Sequence, residues 1–519
     1  TQKGSPMGCL RLLTKSSPSG GDFVPFSDEF LYNAGMLREH DNKQVGLEFV
    51  SIEELVPQDH LLRKIDRVID FDFIREKVKD LYCADNGRPA VDPVVLFKML
   101  FLGYLFGIRS ERQLVRELQV NVAYRWFVGF SLTDKIPDAS TFSQNRRRRF
   151  TESTIYQEIF DEIVLQAMRK RLLSGRVLYT DSTHLKASAN KHKFKKKQIV
   201  KATREYVDAL EDAIGKDRQG HGKKPLKPKE EVPETREVKS STTDPDSGYM
   251  VRDGKPKGFF YLDHRTTCGQ HNLITDTHVT AANVHDSLPY LERLDRQRQR
   301  FGFETEATGL DAGYMTPAIC KGLEDREIYG VIGYRRPTHI KGRLYKRDYR
   351  YDAQQDGYRC PNGQFLTYRT TNREGYREYR SDPVICRTCP LLGQCTENAQ
   401  AIKTITRHVW EGYREKVDSH RKTQAGKALY KRRKETVERS FADAKQLHGH
   451  RYIRMRGLLR AQEQCLLSAA CQNMKKMALL LCKPGKKERK DSDCGCSKLF
   501  RAFIGSLIKP IRPHSALPA

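Results

Sequence analysis

At residue 176 the hydrophobic period of this chain changes. Before it, apolar residues recur at the three-to-four spacing of helices; after it, short apolar runs of strand length take over. In the first part, Asp92-Pro93 starts a helix carrying Leu96, Met99, Leu100, Tyr104 and Leu105, with Gly103 and Gly107 near its end. Ser110 opens a second, with Leu114, Val115 and Leu118 at helical spacing, and a third near 123–130 holds Trp126 and Phe127. After Pro137, Ser140-Thr141 can cap a further helix that carries Arg146, Arg147, Arg148 and Arg149. Beyond 176, strands are predicted over 177–180, 259–262 and 273–279, a charged helix over 291–300, a strand over 307–310, a helix over 317–324 and a strand over 329–333.

Three strands, helix, strand, helix, strand is the order of an RNase H-like α/β sheet. The expected fold class is therefore α/β: an RNase H-like domain with insertions, preceded by an all-α domain. Two stretches interrupt the sheet. Residues 191–239 are dominated by Lys, Glu and Pro and are expected to be mobile or partly helical, whereas 335–411 are rich in Tyr and Arg and carry four cysteines. A long charged helix over 422–446 and an apolar one over 459–481 follow. The expected boundaries are a weakly ordered extension over 1–45, a helical domain over 46–155, the sheet domain over 170–481 with insertions near 191–245 and 335–411, and a basic tail over 482–519.

Charge narrows the partners. Lys and Arg number 93 against 65 Asp and Glu, a formal net charge of +28, which calls for a polyanion, usually nucleic acid. A ribosome-associated or membrane-surface protein is the blander alternative. The most apolar run, 94–108, carries Lys98 and falls short of the ~20 residues that a membrane helix needs. Leu10 to Leu13 is too brief for a signal core, and thirteen cysteines in such a chain are expected as reduced thiols or metal ligands, in the cytosol. Short helices with short connections resemble a helix-turn-helix DNA reader, and equally a bundle with a solvated basic face.

Asp181 and Asp311 each stand where a predicted strand ends, the place where open α/β sheets hold ligands. Adjacent ionised carboxylates repel, and Mg²⁺ resolves that conflict with oxygen coordination and open positions for phosphate. Asp311-Ala-Gly-Tyr taken singly reads just as well as an ordinary turn. A third ligand is sought on the helix over 431–445, where Lys434, Glu438, Phe441, Ala442 and Lys445 share one side. An exposed helix laced by ion pairs has the same charge mixture, and spacing alone leaves Glu435 open beside Glu438.

The chain resembles the DDE transposases of bacterial insertion sequences, in the branch with an InsH-like amino-terminal domain. The resemblance runs from about 49 to 481 and rests on Gly87-Arg-Pro-Ala-Val-Asp-Pro, Tyr179-Thr-Asp-Ser-Thr, Asn283-Val-His-Asp-Ser, Leu310-Asp-Ala-Gly-Tyr and Thr436-Val-Glu-Arg-Ser-Phe. It implies a catalytic triad of Asp181, Asp311 and Glu438 holding Mg²⁺ or Mn²⁺, and Lys445 matches the lysine of the Tyr-Arg-Glu-Lys signature. Lys434 stands where the signature has arginine, with Arg433 adjacent, and Tyr430 lies one place early. The implied reaction is hydrolysis at the element's ends and attack of the freed 3′-hydroxyl on target DNA. The implied partners are element ends and target DNA, gripped by a homo-oligomer away from any membrane. Arg146, Arg147, Arg148, Arg149, Lys434 and Lys445 are the expected DNA contacts, and His184 and His285 stay outside the catalytic set. A nuclease that does not join strands, and a DNA-binding descendant without catalysis, are the competing readings.

Cys386-Arg-Thr-Cys389 has the gap that lets two thiolates reach one Zn²⁺, with Cys395 close behind and Cys360 opening a Cys-Pro-Asn-Gly turn. The insertion has few aliphatic residues, so a structural zinc is expected to help order it; free thiols are the alternative.

Overall fold

Asp92 accepts a hydrogen bond from the Val94 amide at 2.8 Å and Pro93 takes the first helical position, so the helix Pro93–Leu105 begins where the sequence predicts. It is apolar all round and nearly every residue is buried, which makes it the axis of the helical part. The structure, a computed structural model, describes residues 49–83, 90–200, 207–227, 235–251, 257–335 and 338–482. Residues 1–50 form one unit, of which only 49 and 50 are described; everything below belongs to the second, 51–519. The expected amino-terminal extension, nearly all of the basic tail and the Gly87-Arg-Pro of the first motif lie outside the described residues.

Helices Leu61–Val68, Glu111–Val120, Val122–Val128 and Ile155–Arg169 surround this axis. The expected arginine-bearing helix is only six residues long, Ser140–Asn145, and widens into a π turn over Arg146–Phe150. Its first amide, Ser140, is held by Asp138 at 2.8 Å, so Asp138 fills the role assigned to Ser140 and Thr141.

Eight strands build the main sheet: β1 (Val177–Lys186), β2 (Phe194–Val200), β3 (Thr235–Ser241), β4 (Gly248–Met250), β5 (Gly258–Cys268), β6 (Ile274–Ala281), β7 (Ala307–Leu310) and β8 (Tyr329–Ile332). β1 lies antiparallel to β5 and parallel to β7, which is parallel to β8; β6 pairs antiparallel with β5. In register, Thr180 faces Leu310, so the residues that follow each are neighbours where β7 ends and β1 continues. The helix Tyr290–Phe301 leads into β7, and the helix Pro317–Asp325 joins β7 to β8.

β6 pairs with β5, and its backbone is further stitched by a helix. From the 24-residue helix Leu458–Leu481, Asn473 accepts from the Ile274 amide and donates to the Ile274 carbonyl, both at 2.8 Å. Gln462 repeats the device, taking the Val279 amide at 2.8 Å and giving to the Thr277 carbonyl at 3.0 Å. Side-chain amides thus satisfy backbone groups that a buried strand edge would otherwise leave orphaned. The same helix reaches the helical part: Glu463 accepts from Arg146 Nε at 2.7 Å, and Arg146 Nη2 donates to Glu111 at 2.6 Å.

The first insertion is partly helical, as expected, but also supplies strands, and the second folds more fully than its composition suggests. Residues 194–241 carry the β2–β3 hairpin and the helix Val207–Gly220. The second insertion contains a five-stranded antiparallel sheet, ordered Thr404–His408, Tyr376–Arg380, Phe365–Thr371, Gly357–Arg359, Arg350–Asp352. Tyr349, Tyr358, Leu366, Tyr379 and Ile405 form its core, so tyrosine rings supply the burial that aliphatic residues do not. Their hydroxyls find a common acceptor: Tyr351 and Tyr379 both donate to Asp356 Oδ1, at 2.6 and 2.7 Å, and His221 of the first insertion sits 2.6 Å from its other oxygen.

The long charged helix predicted over 422–446 is two pieces, Gln424–Lys431 and Val437–Leu447, and a further helix, Glu411–Lys422, precedes them. Thr423 caps Gln424–Lys431 through the Gly426 amide at 2.9 Å, and a Cβ on Gly426 would sit 2.0 Å from the His420 carbonyl, so the junction needs glycine. Residues 432–436 make a turn, which takes Lys434 off the helical face that it shares with Glu438 in the sequence reading.

Arg146 is the expected DNA contact that this fold removes from solvent: its side chain is 7% exposed and bound to two glutamates. Arg146→Ala should leave buried Glu463 with Arg460 as its remaining cation and strip Glu111 of its partner, lowering unfolding free energy by about 3 kcal/mol. Arg147→Ala and Arg148→Ala, at exposed positions, should each shift it by less than about 0.5 kcal/mol. Denaturant titration of the three variants measures the difference; equal losses would contradict this packing.

Candidate active site

Asp311 stands at the end of β7 as expected, whereas β1 runs on to Lys186, paired with β5, and so holds Asp181 in mid-strand rather than at a strand end. Because those strands run parallel and side by side, the two carboxylates share one rim of the sheet. Glu438 enters from above, in the first turn of Val437–Leu447, a helix that packs Val437 and Phe441 against Tyr179 of β1.

The three carboxylates meet on one guanidinium. Arg433, in the turn before that helix, places Nη2 2.7 Å from Asp181 Oδ2, and Nη1 3.6 Å from Asp311 and 3.7 Å from Glu438. Its side chain is 4% exposed, against 22% for Asp181, 53% for Asp311 and 45% for Glu438. Tyr430 accepts from Nη1 at 3.3 Å, so the cation is fixed from below while the carboxylates open outward. The ion pairs of Arg433 reach Glu438 and not Glu435, which is exposed.

One cation against three carboxylates leaves excess negative charge. Burial pushes the Asp181 carboxyl up to about 6; Arg433 and the Ser182 amide, 2.8 Å from Oδ1, oppose the rise, while Asp311 and Asp286 add to it. Asp286, from the Asn283-Val-His-Asp-Ser motif, is a fourth carboxylate in this field, with Oδ1 buried and unpartnered in the structure. Sequence reading quoted that motif but gave Asp286 no role. Nor did it see that Arg433, adjacent to the expected position, is the residue turned inward. Lys445 lies along β1 from Asp181, its Nζ 2.6 Å from Thr183 Oγ1. His184 packs its ring edge-on to Phe260 and His285 Nδ1 contacts Ser287 Oγ at 2.7 Å, so neither is drawn into the carboxylate cluster by these contacts.

All-oxygen donors, convergent and more negative than their one cation, with two of three carboxylates open to solvent, fit a hard divalent cation. The other convergent group does not. Asp263, His450 and Cys465 are buried together, but Arg265 Nη2 already holds Asp263 Oδ2 at 2.8 Å, and His450 lies 3.0 Å from the same oxygen. A buried guanidinium takes the place that a metal would need.

Cys360, Cys386, Cys389 and Cys395 all lie on the second insertion. Cys395 Sγ is 2.9 Å from Tyr349 Oη, whose ionisation also feels Cys360, and Asn362 Nδ2 is 3.5 Å from Cys389 Sγ. Among the described residues no three of these thiols come within 4.8 Å of one another.

Two family profiles match the chain: "Transposase domain (DUF772)" over residues 50–148 and "Transposase DDE domain" over 359–478. The first covers the helical part, the second the end of the sheet-bearing part with Arg433 and Glu438. No curated protein matches. Among solved structures, the cryo-EM structure of piggyBac transposase synaptic complex with hairpin DNA is similar over 88% of this chain and 87% of that one, at 9% identity and a TM-score of 0.30. Among the described residues no helix is long and apolar enough to cross a membrane.

The charge excess has a measurable cost. A carboxyl whose folded pKa, about 6, exceeds its ordinary 3.8 contributes stability below pH 4 that is lost as pH rises through 6. In chelator, Asp181→Asn should therefore gain stability over wild type between pH 4 and pH 7, by at most about 3 kcal/mol. Melting curves at the two pH values read it, and a pH-independent difference would show that Asp181 is not under this strain.

Proposed function

The chain belongs to the DDE transposases, and we propose that it cuts the ends of an insertion sequence and joins them to target DNA at Asp181, Asp311 and Glu438. The observation that carries this reading is the meeting of three carboxylates, from two neighbouring parallel strands and one helix, on the buried Arg433. The strand pattern around them, with β5 antiparallel between β6 and β1 and then β7 and β8 parallel, supports an RNase H-like sheet. With its helical part over 51–169, the chain would then have the expected two-part organisation, and its homo-oligomer would hold the paired ends.

Asp181, Asp311 and Glu438 would hold the divalent ions, Mg²⁺ or Mn²⁺. Bound there, such ions supply an activated attacking oxygen and charge stabilisation at the leaving oxygen. Arg433 orients Asp181 and partly offsets the rise that burial imposes on its carboxyl. Lys445, fixed to Thr183 beside the rim, offers a cation where a DNA phosphate would lie. Lys434, exposed in the turn, and Arg147 and Arg148 would add affinity through phosphates, and Arg149, half-buried over the Tyr82 ring, less so. Affinity thus comes from side chains other than the triad. Asp181→Asn, Asp311→Asn and Glu438→Gln should each cut cleavage and joining about a hundredfold or more while DNA binding holds. Glu435→Ala should keep near wild-type rates. Strand transfer at undiminished rate by a triad variant removes that residue from the assignment, and cleavage without joined product in the wild type favours a nuclease.

A structural Zn²⁺ on Cys360, Cys386, Cys389 and Cys395 is a separate part of the proposal. It is supported by the placement of all four on one lobe, with Cys360 and Cys395 both beside Tyr349. Four sulfurs around zinc lie about 3.8 Å apart, so binding requires the lobe to close around the ion. Metal analysis of reduced protein should find about one zinc per chain, lost in the Cys386→Ser, Cys389→Ser double variant. Stoichiometry near zero would leave the tyrosine core as the lobe's sole support.

A further inference from the structure

Tyr452 is 45% exposed, in the segment between the helices Val437–Leu447 and Leu458–Leu481. Its backbone is fixed. The Lys186 amide donates to the Arg451 carbonyl at 3.2 Å and the Ile453 amide to the Lys186 carbonyl at 2.9 Å, a parallel bridge on the far end of β1. Ile453 is buried with Leu185 and Tyr261, which anchors the segment to the sheet.

Cations from three parts of the chain surround that ring. Arg109, from the connection between the helices Pro93–Leu105 and Glu111–Val120, stands 5.5 Å from the ring centroid, and Lys186 of β1 stands 5.8 Å away. Arg451 precedes it and Arg456 follows, with Arg456 Nε held by the Ser188 carbonyl at 3.2 Å. All four are exposed, and among the described residues none has a carboxylate partner. Arg146, Arg293 and Arg326, by contrast, are each held by a carboxylate. Cations left unbalanced around one rigid, exposed ring need an anion that also has something flat to stack. Nucleic acid with an unpaired base meets both needs: phosphates take the cations and the base takes the ring. A closed duplex meets only the first, because its base faces are covered.

The position fits the proposed chemistry. Lys186 lies five residues beyond Asp181 on β1, roughly 17 Å at strand rise. The ground between is bridged by Lys445, which holds Thr183 at 2.6 Å and whose carbonyl accepts from Arg451 Nε at 3.3 Å. At their present separations the two ring cations are near the ~6 Å limit of attraction to the ring, so a phosphate can draw them off and free a face.

We propose that Tyr452 stacks on an unpaired base of the DNA being processed, with Arg109, Lys186 and Arg451 on the flanking phosphates. This rests on the DNA-cutting reading above and names the form of DNA that the site takes. The test is fluorescence anisotropy of the full chain in chelator. The probes are a single-stranded oligonucleotide, the same length as duplex, and a single strand bearing abasic sites. Tyr452→Ala should weaken single-strand binding about five- to a hundredfold and leave duplex binding within twofold. Tyr452→Phe should restore the single-strand value, and the abasic strand should bind wild type and Tyr452→Ala alike. Arg109→Ala and Lys186→Ala should weaken both forms and lower the salt dependence. Equal losses on single strand and duplex, failure of phenylalanine to restore, or discrimination on the abasic strand would each overturn the stacking role. Binding of every probe unchanged in Tyr452→Ala would overturn this inference alone; absence of DNA binding by wild type would overturn the DNA-cutting reading with it.

Discussion

Three carboxylates brought to one sheet rim cannot all stay ionised next to one another unless a cation is close by. Much of the local architecture follows from that conflict. The cation must be buried deeply enough to feel low dielectric, and a buried guanidinium must in turn keep its own hydrogen bonds. Arg433 meets the first condition fully and the second at both Nη atoms, with Nε left unpartnered, because the chain leaves the helix at Lys431, turns through 432–436 and re-enters helix at Val437. A continuous helix over the same residues would present Arg433 and Glu438 on different faces, since five residues span more than one turn. The break therefore belongs to the site as much as the carboxylates do. One guanidinium is still too little for three acids, and this remaining charge makes the rim receptive to divalent ions.

A second constraint joins the helical part to the sheet. Beyond the short β4 pairing, one side of β5 is covered by β6, and the other side of β6 is met by amides of a helix that comes last in the described chain. Asn473 and Gln462 each act as donor and acceptor to the same strand, which a hydroxyl or an aliphatic side chain could not do. Because Glu463 of that helix also binds Arg146, the helical part, the sheet edge and the long helix share one buried polar seam. Helices before residue 170 are thus held against a strand pair whose inner member, β5, lies beside Asp181 at Arg265.

How much of this was legible in the sequence follows from which forces write a local pattern. β7 was readable to the residue, and the helix Leu458–Leu481 to within one, because burial imposes a period or a run. β5 was read as four residues and has eleven, since its second half, Asp263–Cys268, is built of buried polar groups that satisfy one another and so looks solvent-facing in sequence. Asp181, Asp311 and Glu438 were found from strand ends and from resemblance to a family, and the structure brings them together on Arg433. Arg146 was misplaced because four consecutive arginines look alike, while their exposure depends on a glutamate 317 residues away. The break at 432–436 escaped notice because it goes with the long-range pairing of Arg433 to Asp181, in a run whose propensities are uniformly helical.

The cysteine-bearing lobe shows how a composition argument fails when it counts the wrong atoms. Few aliphatic residues suggested a segment unable to bury enough surface alone, yet a tyrosine buries as much apolar ring as a phenylalanine once its hydroxyl is satisfied. Asp356 satisfies two of those hydroxyls at once and draws in His221 and Arg377 besides. His221 comes from the other insertion, as do Asp217 and Arg218, which bind Arg377 and the Thr371 carbonyl. The two insertions, 150 residues apart in the chain, therefore stabilise each other through a polar network around an aromatic core. The lobe is held by its own tyrosine core together with the other insertion, and whatever its cysteines bind adds to that.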